Sequence, residues 1–192
     1  MPKVSDEHRA SQRAAILDAA RRCFASNGFH ATSMQDILDE AGKSAGAVYR
    51  YFPGKSDIVG AIAEQSGDGM LDALAAYAES AGVTVADVIT SAVAGVRAKH
   101  QALSNARVSM QVWAESVRDP RMHEQFTCTH ERVRGIVAAL IRRRHPELDT
   151  QADTVAGAAV ALVPGFVLQL GLLDDARTAD FELGIRGLLG DL

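Results

Sequence analysis

At 192 residues the chain holds one domain or two small ones, with ample material for a hydrophobic core. Its composition is that of a soluble globular protein, rich in alanine and poor in strand formers, and two cysteines exclude a disulfide scaffold. A net charge of −4 and a pI of about 5.8 exclude a uniformly basic nucleic-acid binder.

The charge is unevenly placed: eight basic and seven acidic groups precede residue 61, against twelve and seventeen after it. Met1 to Arg13 is polar and charged, so no secretory leader is expected. Cys23 and Cys128 lie far apart in helical patterns and read as buried reduced thiols, which suits a cytoplasmic protein.

Everything reads helical. A first helix from about Glu7 to Asn27 carries Ile16, Leu17, Ala20, Cys23 and Phe24 on one face, and Gly28 ends it. Residues 32–55 then read as two short helices joined by a tight turn. Thr32 caps the first, with Gln35 completing a capping box. Ile37, Leu38 and Ala41 give that helix its apolar face, and Gly42 suits the left-handed position that ends it. Ser44 caps the second, Ala45 to Tyr51, which Pro53-Gly54 stops. From Ala41 to Ser56 there are three cations, Lys43, Arg50 and Lys55, and no acid. This is the build of a helix-turn-helix that lays its second helix in the major groove of DNA. A solvated helical hairpin with packed tyrosines fits the local charge about as well.

A long fourth helix starts near Lys55 with Ile58, Ile62, Met70, Leu74 and Tyr77, interrupted by Gly67 and Gly69. Helices follow from about Thr84 to Leu103, from Ser104 through Trp113 to Arg118, and from Asp119-Pro120 to Arg144. Pro146 breaks the chain. Val155 to Leu173 is nineteen residues without a charge, long enough for a membrane span. Its alanines, glycines, Pro164 and acidic flanks favour a buried, subunit-facing helix, and no membrane partner is expected. Thr178 caps a last helix through Phe181, Ile185 and Leu188.

Residues 12–62 resemble the tetracycline-repressor (TetR) family of bacterial regulators. The landmarks are Ile16-Leu17-x-Ala19-Ala20, Phe24, Gly28-Phe29, Thr32, Asp36-Ile37, Ala41-Gly42, Ser44-x-Gly46-x-Val48-Tyr49-x-Tyr51-Phe52 and Lys55. Leu38 stands where the family usually has alanine, and Lys43 where it has a small apolar residue. Gly165 to Asp174, with Trp113-Ala-Glu115 and Arg118-Asp-Pro120 upstream, looks like the BetI-type C-terminal region of that family.

The resemblance implies an all-α protein of about nine helices. Residues 1–54 would form the DNA-binding domain, and 55–192 a ligand-binding domain whose last two helices pair in a homodimer. It also implies a transcriptional regulator, more often a repressor, that releases its palindromic operator when a small molecule binds. Base contacts would come from Gln35 of the first short helix and from Ala45, Gly46, Ala47 and Arg50 of the recognition helix, which opens at Ser44. Arg50 is the strongest candidate reader, since it can engage guanine with two bonds. Phosphate contacts fall to Thr32, Ser33, Lys43, Tyr49, Tyr51 and Lys55. An effector pocket would draw on Met70, Leu74, Met110, Gln111, Trp113, Phe126, Phe166 and Gln169, although such spacing equally describes plain core.

Other chemistry fails on spacing. Gly42-Lys43-Ser44 and Gly54-Lys55-Ser56 lack the earlier glycine and the strand of a phosphate loop. Gly67-x-Gly69 lacks the third glycine of a dinucleotide fold. His123 and His130 have Cys128, Glu124 and Glu131 nearby but no second ligand pair, so neither metal nor cofactor is expected. The run Arg142-Arg143-Arg144-His145 at a helix C-terminus could touch nucleic acid, but complementing the helix dipole is the favoured reading. Two rivals stay open: a helical enzyme or binding bundle without DNA binding, and a DNA-binding regulator without a small-molecule effector.

Overall fold

The computed structural model describes residues 6–103, 105–173, 178–190 and 192, with backbone alone at 6, 63, 65–70, 101–103 and 105. The described residues form nine α-helices and no strand: α1 Asp6–Asn27, α2 Met34–Ala41, α3 Ala45–Tyr49, α4 Lys55–Ala78, α5 Val85–Leu103, α6 Asn105–Ser116, α7 Pro120–Arg144, α8 Ala152–Leu172 and α9 Phe181–Leu189. A 3-10 turn, Pro146–Gln151, joins α7 to α8.

Local chemistry sets most boundaries. Gly28, at φ 81°, ends α1 with its N–H on the Phe24 carbonyl. Asp119 caps α7, accepting from the N–H groups of Arg121 and Met122 with Pro120 at the first helical position. Helix α4 continues through Gly67 and Gly69, contrary to the expected interruption. Two glycines weaken a helix by about 2 kcal/mol together, but buried Ile58, Ile62 and Leu71 anchor α4 on both sides of them.

Two apolar clusters organise the chain. The first joins Ile16, Leu17 and Phe24 of α1 to Ile37, Val48, Phe52, Ile58 and Ile62, and takes in Val108 of α6 and Met122 of α7. The second holds Val88 and Ile89 of α5, Val137 and Ile141 of α7, Val160 and Phe166 of α8, and Ile185 of α9. Helices α4, α6 and α7 supply residues to both, Ala78, Ala106 and Val137 lying in the second. These three helices are therefore the elements that the two clusters share.

The segment Pro146–Leu172 is apolar and long enough to cross a membrane, but α8 packs one face into the bundle through Ala152, Ala156, Ala159, Val160, Phe166, Val167 and Leu170. Leu168 and Leu172 of α8, with Leu183 and Leu188 of α9, remain exposed, the last two by about 70%. Arg97 of α5 locks α9 in place: it donates to Glu182 and to the Thr178 carbonyl at 2.7 Å, and lies 4.8 Å over the Phe166 ring.

One expectation needs correction. Cys23 is buried, and burial raises its thiol pKa, but Cys128 is exposed on α7. The arginine run lies in the last turn of α7, and it also makes pairs beyond its own helix: Arg142 with Asp149 and Asp153, and Arg143 with Glu79 and the Ala78 carbonyl that ends α4.

Candidate DNA-reading surface

The short helix α3 stands out from the first cluster on one buried side chain, Val48. Ser44 begins it, its hydroxyl accepting from the Ala47 N–H at 3.4 Å. The N–H groups of Tyr51 and Phe52 both return to the Val48 carbonyl, at 2.9 and 3.0 Å. Regular helix thus ends at Tyr49, and Arg50 and Tyr51 form its closing turn. Before it, Gly42 at φ 61° closes α2, donating to the Asp39 carbonyl, while the Lys43 N–H reaches that of Leu38.

The outward side of this motif presents Ser33, Gln35, Ser44, Ala45, Gly46, Tyr49 and Arg50, with Ala47 half-buried. A Cβ at Gly46 would meet nothing within 4 Å, so the start of α3 is open to a close approach. The Arg50 guanidinium lies 5.4 Å from the Tyr51 ring centre, an arrangement that steadies it without neutralising it. Gln35 donates to Asp39 across one turn at 2.7 Å.

Three expected phosphate contacts have their polar atoms turned inward. The Thr32 hydroxyl is buried and donates to the carbonyls of Gly28 and Cys23, at 2.7 and 3.2 Å. The Tyr51 hydroxyl is enclosed and has no hydrogen-bond partner among the described residues. The Lys55 ammonium donates to the carbonyls of Phe29 (2.5 Å) and Thr32 (2.7 Å) and sits 4.4 Å from the Phe29 ring centre. It fastens the start of α4 to the α1–α2 loop, because those carbonyls have no helical partner and a cation satisfies them at once.

The capping box is also one residue later than expected. Ser33, not Thr32, caps α2: its hydroxyl accepts from the Asp36 N–H, and Asp36 accepts from the Ser33 N–H at 2.7 Å. The bond from the Ser33 N–H first, and then one donated by the Ser33 hydroxyl at 2.8 Å, hold the Asp36 carboxyl below its ordinary pKa. The pairs Thr32/Gln35 and Ser33/Asp36 have identical spacing. Spacing could not choose between them; burial of Thr32 did.

Sequence reasoning missed the contact that holds Lys43. Its ammonium donates to the side-chain carbonyl of Gln12, thirty-one residues earlier on α1. No local pattern signals a contact at that separation.

The expected pocket residues lie in different surroundings rather than around one cavity. Phe166 is fully buried against Phe181, Leu74 is half-buried at the second cluster, and Gln169 is exposed. Met110 packs on α8 at Gly171. Trp113 meets the exposed Phe126 edge-on at 6.4 Å, and Phe126 stacks on His130. The side chain of Met70 lies outside the described residues. Gln111 instead faces the first cluster and donates to the Phe24 carbonyl at 3.1 Å. With Phe24, Phe29, Val59, Val108 and Val112 it lines a narrow apolar crevice that has no room for a water-sized molecule. Close by, His30 reaches Glu115 of α6 at 3.4 Å. Helix α6 therefore reaches the end of α1 through Gln111 and the α1–α2 loop through Glu115, with an apolar seam between them.

Comparison with known proteins agrees with this geometry. Residues 16–62 match the model for bacterial regulatory proteins of the tetR family, and 85–184 match that for the C-terminal region of BetI-type transcriptional repressors. The HTH-type transcriptional regulator UidR of Escherichia coli is 28% identical over 185 residues, covering 94% of this chain and 92% of its own. The structure of Salmonella enterica GusR superposes with a TM-score of 0.73 at 24% identity, over 98% of this chain and 97% of that one. A regulator from Saccharomonospora viridis, solved in complex with choline, gives 0.74 at 22% identity, over 93% and 95%.

Proposed function

Because the chain belongs to the TetR family of bacterial transcriptional regulators, we propose that it acts as a homodimeric repressor which leaves a palindromic operator when a small molecule binds. It is a DNA-binding regulator, not an enzyme. Residues 1–54 serve as the reading head and 55–192 as the sensing and dimerising body, working in the cytoplasm where the chromosome lies.

The observation that carries this reading is the exposed face of Ala45, Gly46, Tyr49 and Arg50 on a helix pinned from behind by Val48. Small residues let the helix seat deeply in the major groove, and Arg50 is left to select guanine. Ser33, Gln35, Ser44, Ala47, Lys43 and Tyr49 complete the contact set. Thr32, Tyr51 and Lys55 support it from beneath. Pairing is supported by the exposed leucines of α8 and α9, an apolar area that a monomer would leave in water. Release is supported by the continuity of α4 and α6 across both clusters: a ligand near Met110 and Trp113 on α6 would draw on Gln111 and tilt the reading head. The choline bound to the Saccharomonospora protein favours a small-molecule effector for this fold, without fixing its identity here.

Selection of bound duplexes from a random pool tests the whole. The expected result is a palindrome with half-sites about 34–36 Å apart, and Arg50→Ala relaxes the preference at one base pair in each half. Failure to enrich any sequence, or an equal loss on every duplex from Arg50→Ala, refutes the reading.

A further inference from the structure

We propose that Gln12 is a positioning residue for DNA binding, holding the Lys43 ammonium at the helix-turn-helix so that a backbone phosphate completes its contacts. The inference rests on the reading of α2 and α3 as a DNA-reading motif and adds α1 to the elements that build its surface.

The chemistry of the partner carries it. Around the reading head, Arg22 pairs with Glu40 at 2.6 Å, Arg21 with Asp18 at 2.8 Å and Arg13 with Glu64 at 3.8 Å. Each of these cations has a carboxylate within 4 Å. Lys55 is turned onto backbone carbonyls. Lys43 differs: its described side-chain partner is the neutral amide of Gln12. An amide oxygen orients an ammonium through one of its three protons and leaves the full charge and two donors for another acceptor.

Position agrees with chemistry. Lys43 lies between the left-handed Gly42 and the helix cap Ser44, beside the exposed face of α3. Its backbone is fixed by the bond from its N–H to the Leu38 carbonyl at 3.1 Å. Gln12 fixes the far end of the side chain from α1, so both ends are set before DNA arrives. The ordering cost of a long flexible side chain is then met during folding instead of on binding. The neighbouring Arg13 lies 5.4 Å from the Phe52 ring centre and holds the same stretch of α1 against the motif.

The test is the affinity of the full chain for a mixed-sequence 30-base-pair duplex (a length of about three helical turns), followed by fluorescence anisotropy across a salt series. Lys43→Gln should flatten the slope of log affinity against log salt by about 0.9 for each protomer engaged. Gln12→Ala should keep the slope and weaken binding by roughly threefold to tenfold, the range expected when one long side chain loses its preset rotamer. In the Lys43→Gln background, Gln12→Ala should change nothing. Gln12→Glu keeps the hydrogen bond but adds a carboxylate, and should flatten the slope as Lys43→Gln does. Equal melting temperatures show that these changes are not damage to the fold. Where melting does shift, Gln12→Glu in the Lys43→Gln background decides: a carboxylate that acts on DNA by its own charge flattens the slope further there, whereas one that acts through Lys43 leaves it unaltered. Tighter binding by Gln12→Ala, or the same loss with Lys43 already removed, overturns the inference while leaving the DNA-binding reading intact. A wild-type chain that binds no duplex at low salt overturns both.

Discussion

Replacing Lys55 by methionine keeps most of the side chain's apolar stem and removes only its ammonium. The lost interactions are two short charged hydrogen bonds, to the carbonyls of Phe29 and Thr32, and a ring contact at 4.4 Å. Charged hydrogen bonds contribute about 1.5 kcal/mol each at the lower end of their range, which suits a half-buried group. The ring adds about 0.5 kcal/mol. The freed carbonyls recover part of this from water, leaving a net loss of about 2 kcal/mol. For a chain of this size that corresponds to a fall in Tm of about 4–8 °C. Thermal unfolding followed by circular dichroism measures it directly. A Tm within about 1 °C of wild type, together with a uniform loss of affinity for all duplexes, would place the ammonium on phosphate and refute the internal tie.

Three further outcomes are expected. A Cβ at position 171 would stand 2.7 Å from the Met110 sulfur, so Gly171→Ala must push that thioether aside; overpacking at the lower end of its range, about 1 kcal/mol, offsets the gain of about 1 kcal/mol from removing a glycine from a helix, so the urea midpoint should stay near that of wild type, and a clear rise would mean that α6 and α8 are less tightly apposed. The Asp87 carboxyl is held down to about 2, first by the hydrogen bond from Arg186 and then by the Thr84 N–H and hydroxyl. A depressed carboxyl stabilises the fold above its unfolded value of about 4, and that contribution fades as pH falls from there through about 2. Asp87→Asn should therefore be less stable than wild type at pH 6, with the gap closing toward pH 2; a gap independent of pH would deny the charge a role. Leu183→Glu with Leu188→Glu should halve the mass seen by sedimentation while leaving the helical signal unchanged, and a persistent dimer would move the interface away from α9.

The amino-acid pattern alone determined the helix-turn-helix and the course of the main helices. Their signals are local: Gly42 after an apolar stripe, Ser44 before small residues, Asp119-Pro120 at a helix start. Each acts over a few residues, and chemistry and spacing suffice to read it. Local rules failed where two local answers were equal or where the partner was distant. Thr32/Gln35 and Ser33/Asp36 offered the same cap, and the burial of Thr32 under α1 selected the second. Lys55, Lys43 and Gln111 are polar side chains with several possible fates. Tertiary structure gave them to the α1–α2 loop, to Gln12 and to the Phe24 carbonyl respectively. The two glycines of α4 argued for a break, and packing on either side overrode them. Helix period and caps are written into neighbouring residues, whereas the destination of a long polar side chain depends on which backbone groups the packed helices leave without partners.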